Sequence, residues 1–482
     1  MTTIVSVRAD FAALNPATDP LVFWNDDLRG DWFAYRAGTF TTQLAADPLG
    51  GLYIPATGGA YVRQGHWFAS GISPEWFGAV GDGSTDDSAT FQAAIDLIAA
   101  LFPYGQQINL APRRYGLAHG LIWRSHINFH GTNATAIWGL GATLLNTQTG
   151  TLEPMISCGP GTCGIRFENM CFDGADKNTP AIFGGMGTTG QNFGTYGVQI
   201  KNVQFHHCRP AIRGINCFDW IIADSLFNAC GNGATGSGAE VASVYTSNCQ
   251  NFHIRDNFFD LSFGKGIVTD DIETLAYYVT NNHMEVHSGS GFDAVDAVLK
   301  ASPLIGNFIW NAASIKLRDG GAANAVIGNH IFNPDGHGIE VHGDSDVVAL
   351  NTSWNNEPSV DHYLAGSTSN GARFFGNAPT GNMLSASGVT DQGANNQIIG
   401  RALRKTTNLD FPSVAAGGTS NMTVTVTGAR VGDDVTVTTA PSGSLLYQAW
   451  VSANDTVKVR ATNPTGSAIN PASASFSVRI EG

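Results

Sequence analysis

Asn169-Met-Cys-Phe172, Asn202-Val-Gln-Phe205, Asp224-Ser-Leu-Phe227, Asp256-Asn-Phe-Phe259, Asn281-Asn-His-Met284, Gly306-Asn-Phe-Ile309, Gly328-Asn-His-Ile331 and Leu350-Asn-Thr-Ser353 are versions of one pattern, and Gly376-Asn377 is its last trace. Successive starts lie 33, 22, 32, 25, 25, 22, 22 and 26 residues apart. That is the spacing of a solenoid whose coils differ in loop length. The segment from Val326 to Val341 shows one coil. A strand ends at Ile327, Asn329 turns the chain, a second strand opens at Ile331, Asn333 turns it again, and a third opens at Ile339. Three short strands per coil predict a three-sided parallel β-helix. Asn suits the bends because it tolerates left-handed backbone, and stacked amides can bond one another.

Stacked coils lie about 4.8 Å apart, so aligning the coils maps the surfaces. Position four of the pattern (Phe172, Phe205, Phe227, Phe259, Met284, Ile309, Ile331) is expected to face the core, which turns its neighbours outward. One outward column then reads Phe258, His283, Phe308, His330, and the other Asp260, Glu285, Trp310, Phe332, Trp354. An aromatic exterior is costly to leave in water, which points to a subunit interface or a sugar-binding surface. In the second use Trp310 and Trp354 stack on sugar rings, with Glu285 and Asp260 as the nearby acids.

A second face comes from aligning Gly266-Ile267, Gly291-Phe292, Ser314-Ile315 and Gly338-Ile339. The next residues, Val268, Asp293, Lys316 and Glu340, are expected outward, followed two further on by Asp270, Val295, Arg318 and His342. Asp293 and Glu340 then fall two coils apart, about 9.6 Å, near the upper edge of the roughly 6.5–9.5 Å between the carboxyl groups of inverting glycosidases. The candidate catalytic residues are therefore Asp293, Glu340 and Glu285. The candidate substrate-binding residues are Asp270, Lys316, Arg318, His342, Trp310 and Trp354. The same charges also read as a cross-strand ladder, worth a few tenths of a kcal/mol per exposed pair. In a lyase, His342 would abstract a proton while Arg318 or Lys316 neutralised a uronate. The order His283-Met-Glu-Val-His287 is not that of a zincin, and no metal or cofactor is expected.

The 482 residues suit a long solenoid with flanking modules, and 58 glycines fit a turn-rich β protein. With 25 basic against 39 acidic residues the net charge is −14, which argues against nucleic acid and anionic lipid as partners. No apolar run approaches the ~18 residues of a membrane span, so no membrane insertion is expected. Met1 to Asp10 lacks a basic region followed by an apolar core, so no secretory signal is expected. Seven cysteines fall between Cys158 and Cys249 without a Cys-x2-Cys pair, and free buried thiols are expected.

Residues 1–72 lack the coil pattern and read as a small lead-in module. The Ser84 to Asp87 cluster is a helix start, and Phe91, Ala94, Ile95, Ile98, Leu101 and Phe102 follow at helical spacing. A helix over about 85–102 would cap the open end of the solenoid. After the connector 381–405, residues 421–427, 434–438, 456–460 and 476–480 alternate with period two and predict a small antiparallel β-sandwich over 406–482.

The string from Trp76 to Ile95, with Ile108 to Tyr115 and Ile127-Asn-Phe-His-Gly131, resembles the opening of the pectate-lyase-like β-helix family, and in particular bacteriophage tailspikes that degrade surface polysaccharide. The resemblance covers roughly residues 50–400. It implies an all-β fold: a right-handed single-stranded parallel β-helix with an N-terminal capping helix and a C-terminal antiparallel β-sandwich. It also implies a homotrimer on the virion tail, a bacterial capsule or O-antigen as substrate, and a baseplate or tail protein as partner of the N-terminal module. Hydrolysis is the expected reaction. A lyase, a non-catalytic glycan-binding adhesin and a structural spike are the alternatives. The resemblance carries no catalytic motif onto these residues.

Overall fold

The structure is a computed structural model and describes residues 3–132, 141–185, 194–231, 241–260, 264–269, 274–285, 293–311, 314–334, 336–355, 360–381, 388–399, 402–439 and 444–481. The chain divides into two compact units, Met1–Ala312 and Ala313–Gly482.

In the first unit, a five-stranded sheet (Thr3–Val5, Leu21–Trp24, Asp31–Ala37, Gly59–Arg63, Tyr53–Ala56) opens the chain. Its apolar positions converge on one core, with Phe11 edge-on to Trp24, Phe33 and Tyr61. The helix Ser88–Leu101 follows. The Asp86 carboxylate accepts the Ser88 amide at its start, whereas Asp87 turns away to accept the amides of Val80 and Gly81. The buried face is Phe91, Ala94, Ile95, Leu97 and Ile98. Phe91 meets Tyr115 and Phe129 of the first coils, so the helix covers their apolar end.

Each later coil of this unit has three strands, as in Gln250–Arg255, Phe258–Asp260 and Lys265–Thr269. All pair in parallel with their equivalents in the neighbouring coils. Position four of the pattern is fully buried from Phe172 to Ile309. Phe172, Phe205, Phe227 and Phe259 stack ring on ring at 5.4, 4.9 and 4.4 Å, and Trp220, Phe252 and Tyr277 form a second column. Each such buried side chain contributes about 1.5–3 kcal/mol.

The two Asn positions have separate tasks. Position one supplies the bend: Asn169, Asn202, Asp224, Asp256 and Asn281 have φ between 51° and 58°, and Gly306 has φ 67°. Position two points inward, and the amides of Asn257, Asn282 and Asn307 form a buried ladder at 3.0 Å per rung. The seven cysteines are free, six of them buried and Cys163 part-exposed.

The second unit continues the same plan. Strands Ile315–Leu317, Ile339–Val341, Tyr363–Ala365 and Val389–Asp391 pair in parallel, and Asn329, Asn351 and Asn377 form another ladder. Two three-stranded antiparallel sheets then make a β-sandwich. One contains Ala402–Leu409, Ala474–Glu481 and Asp434–Thr439, the other Thr419–Thr425, Thr456–Thr462 and Leu446–Ala453. Its core includes Leu403, Phe411, Val424, Val459 and Phe476. Arg430 reaches back to Asp391 at 2.8 Å, tying the sandwich to the strand Val389–Asp391.

Candidate functional site

The third strands of the coils carry the charged face. In the first unit the column that alternates away from the inner face is Phe183, Arg213, Tyr245, Val268, Asp296, each paired in register with the next. Tyr245 and Val268, the latter expected outward, are buried in a cluster with Ala242. Coil alignment had put Asp293 beside Val268. The backbone instead pairs Ile267 with Val295, and Gly266 N–H donates to the Asp293 carbonyl. The register is three residues later than expected, and Val295, expected outward, is buried. Gly291-Phe292 and Ala294-Val295 both have the form small residue plus apolar residue, so the motif alone could not choose between them.

Asp293 therefore stands at the entrance of the strand rather than on it, which brings it to Lys265. The Lys265 ammonium lies 3.0 Å from Asp293 and 2.5 Å from Asp296. The two carboxylate oxygens are consequently no more than about 5.5 Å apart. Burial opposes the Lys265 charge, but hydrogen bonds to Asp296 and Asp293 outweigh it and hold its pKa above the usual lysine value. Asp270 and His287 lie outside the described residues.

In the second unit Lys316 pairs in register with Glu340 and Glu340 with Leu364. The Lys316 ammonium is 3.7 Å and the His342 Nε2 3.6 Å from the Glu340 carboxylate. Burial raises the Glu340 pKa, but His342, Lys316 and His337 more than offset it, so the carboxyl stays below its ordinary value. His342 has room because residue 366 is glycine: a Cβ there would lie 2.0 Å from its Nδ1. Arg318 alternates onto the same side as Lys316, with buried Leu317 between them. Asp293 belongs to the first unit and Glu340 to the second.

The aromatic columns form in register. Phe258, His283 and Phe308 are in ring contact at 4.7 and 4.9 Å, and Glu285 pairs with Trp310 on the next strand. Glu285 is bound by His283 at 3.2 Å. Phe308 and Trp310 are exposed, whereas Asp260, expected outward, is buried against the Asn228 amide at 2.6 Å. In the second unit Phe332 stacks on Trp354 at 4.6 Å. Among the described residues no group of three His, Cys, Asp or Glu is placed to hold a metal ion. None of their helices is long and apolar enough to cross a membrane.

Sequence reasoning missed a cleft of about 570 Å³ in the first unit, lined by Gly161, Tyr196, Phe218, Asp219, Gln250 and Asn251. Tyr196, Phe218 and Gln250 are register partners in successive coils. The residue after each bends the chain: Gly197, Asp219 and Asn251 have φ of 63°, 57° and 55°. That Gly, Asp, Asn series was the available signal. Asn251 donates to Asp219 at 2.6 Å and meets His253 Nε2 at 3.0 Å.

No family model matches the chain, and no curated protein sequence matches it. Among solved structures it is similar to the tailspike protein of Acinetobacter baumannii phage AM24, with 12% identity and a TM-score of 0.53 over 94% of this chain and 88% of that one. It is similar to DFA-IIIase from Arthrobacter chlorophenolicus A6, solved in complex with DFA-III, with 13% identity and a TM-score of 0.53 over 67% of this chain and 92% of that one. It also resembles PfbA, a surface adhesin of Streptococcus pneumoniae, with 17% identity and a TM-score of 0.51 over 68% of this chain and 89% of that one. At these identities the likeness is one of fold.

Proposed function

We propose that this chain is a phage tailspike that binds and depolymerises a bacterial surface polysaccharide, capsule or O-antigen, by hydrolysis of glycosidic bonds. The observation that carries the reaction is the pair Asp293 and Asp296 on Lys265. Retaining glycosidases place two carboxyl groups about 5–5.5 Å apart, and inverting enzymes further. With both acids on one ammonium, their nearest oxygens are closer than the inverting separation that the coil alignment suggested, and retention is the reading that this favours. Asp296, on the strand, is assigned as nucleophile. Asp293, at the strand entrance, gives its proton to the leaving oxygen and then takes one from water. Lys265 holds the two acids on one ammonium, and Asp293 serves as the acid once the substrate displaces it from that contact.

The fold likeness to the AM24 tailspike along almost the whole chain supports the virion setting. The exposed Phe308 and Trp310 suit burial against further copies in a homotrimer, and the N-terminal sheet is assigned to docking on a baseplate or tail protein. A second reading has its own observation. His342 and Lys316 converge on ionised Glu340, with Arg318 beside them, a set that suits β-elimination on a uronate or the binding of an acidic sugar. Trp354, Phe332 and Trp310 are assigned to stacking on sugar rings wherever subunits leave them uncovered. Glu285, bound to His283, belongs to this aromatic face.

The test is incubation with polysaccharides from a panel of hosts, following reducing ends, ultraviolet absorbance and the anomeric configuration of the first product. Reducing ends with retention, abolished by Asp296→Asn and Asp293→Asn, are expected. Absorbance near the double bond of an unsaturated sugar transfers the chemistry to His342 and Lys316. Binding without products makes the chain an adhesin.

A further inference from the structure

We infer that the cleft between Tyr196, Phe218 and Asp219 is a subsite for an uncharged sugar residue of the bound glycan. The inference rests on the polysaccharide reading above and adds the chemical class that this part of the surface accepts. The volume of about 570 Å³ lies in the range of small-ligand pockets, and its walls combine apolar faces with a few convergent polar groups. Tyr196 and Phe218 stand one coil apart on adjacent strands, giving two aromatic surfaces at the coil spacing. The flat C–H face of a pyranose packs on such rings, leaving its hydroxyls at the rim.

The polar groups at the rim are oriented before any ligand arrives. Burial lowers the His253 pKa, so near neutral pH its ring is uncharged and its Nε2–H donates to the Asn251 amide oxygen. That fixes the Asn251 amide nitrogen toward Asp219 Oδ1. The left-handed backbone at both residues carries their short side chains at the bend, beside the cleft. The Asp219 carboxylate can accept from sugar hydroxyls, and the Gln250 amide can both donate and accept. Among the described residues, Asp219 is the sole charged residue lining the cleft, and no lysine, arginine or histidine lines it. A uronate or other acidic sugar is repelled there, and a neutral hexose is not.

The site carries its own reporter. Cys163 is the register partner of Tyr196, and it is part-exposed while the other six cysteines are buried. Iodoacetamide should therefore label one position per chain, beside the cleft. The experiment combines this labelling with cleavage kinetics on the wild type, Tyr196→Ala and Asp219→Asn, using neutral and uronate-bearing bacterial polysaccharides and oligosaccharides from their partial acid hydrolysis. Neutral oligosaccharides should slow Cys163 alkylation several-fold in the wild type and leave it unchanged in Tyr196→Ala. Polymer cleavage by Tyr196→Ala should show KM raised about tenfold with kcat retained, the loss of one apolar ring contact. Asp219→Asn should relax the exclusion of uronate oligosaccharides.

If the wild type cleaves a polymer and neither variant moves KM, the subsite is refuted while hydrolysis stands. If the wild type cleaves nothing but neutral oligosaccharides still protect Cys163, hydrolysis falls and the subsite stands. Alkylation unaffected by every neutral oligosaccharide, or slowed only by acidic ones, overturns the inference.

Discussion

Replacing Asp346 by Asn should stabilise the second unit, and the gain should depend on pH. Asp346 occupies a ladder position one coil after Asn324, whose backbone N–H and amide both donate to its Oδ1, at 2.9 and 3.0 Å. Its other oxygen, Oδ2, is buried with no hydrogen-bond partner. In the ladder of the first unit the equivalent atom is an amide nitrogen: Asn282 Nδ2 donates to the Ile254 carbonyl at 2.8 Å. Gly321 supplies the corresponding carbonyl here, since the Gly321 oxygen and Asp346 Oδ2 both lie within 3.0 Å of where a Cβ on Gly343 would sit. A carboxylate oxygen stands where the other ladder has a donor. Burial, helped by Asp344 and opposed by the Asn324 hydrogen bonds, raises the Asp346 pKa to about 6.

Against an unfolded value of about 3.9, the difference corresponds to a penalty of ~3 kcal/mol at pH 7.5. Below about pH 4 both states hold the proton and the penalty vanishes. From about 4 to 6 the unfolded chain ionises while the folded one resists, so stability falls as pH rises, and above about 6 the penalty is complete. Denaturant unfolding of the wild type and Asp346→Asn across pH 4 to 8 should therefore show curves that meet at the acid end and diverge by up to ~3 kcal/mol at neutrality. A gap independent of pH, or a variant less stable than the wild type at pH 7.5, would refute the reasoning.

Leu350 takes the bend position with φ 55° and is 61% exposed, so Leu350→Asn should gain about 0.5–1 kcal/mol, read as a higher urea midpoint. Asn282→Ala removes a rung that accepts from Asn257 and donates to Asn307 and Ile254. Leaving those buried groups unpaired should cost about 2–4 kcal/mol by the same measurement. Gly366→Ala drives a methyl into the His342 ring and should move it off Glu340, raising the Glu340 pKa toward its ordinary value, observable by carbon-13 NMR of the labelled carboxyl. Because that pKa is depressed in the wild type, the stability it contributes is present above about pH 4.5 and is lost as pH falls; in Gly366→Ala the acid-side loss should shrink.

The pattern that begins at Asn169 was enough to give a parallel β-helix and its inward column, and the Ser84 to Asp87 cluster with the helical spacing after it gave the capping helix. Those properties depend on local periodicity and on residues that fit a bend, and both are written in consecutive positions. Which outward residues meet was a different matter. Asp296 joined Asp293 at Lys265 because hydrogen bonds between coils selected Ala294-Val295 over Gly291-Phe292, two stretches alike in residue type. Asp346 reads on paper as one more polar turn residue, and its buried position in an amide ladder makes it a titrating group. The cleft at Tyr196 draws on three coils and on bends whose residues differ in each. The sequence by itself determined the coil and its inner face, because burial acts on every coil alike. Tertiary structure alone decided the surface chemistry, because loops of unequal length set the register by which one coil's side chains reach the next.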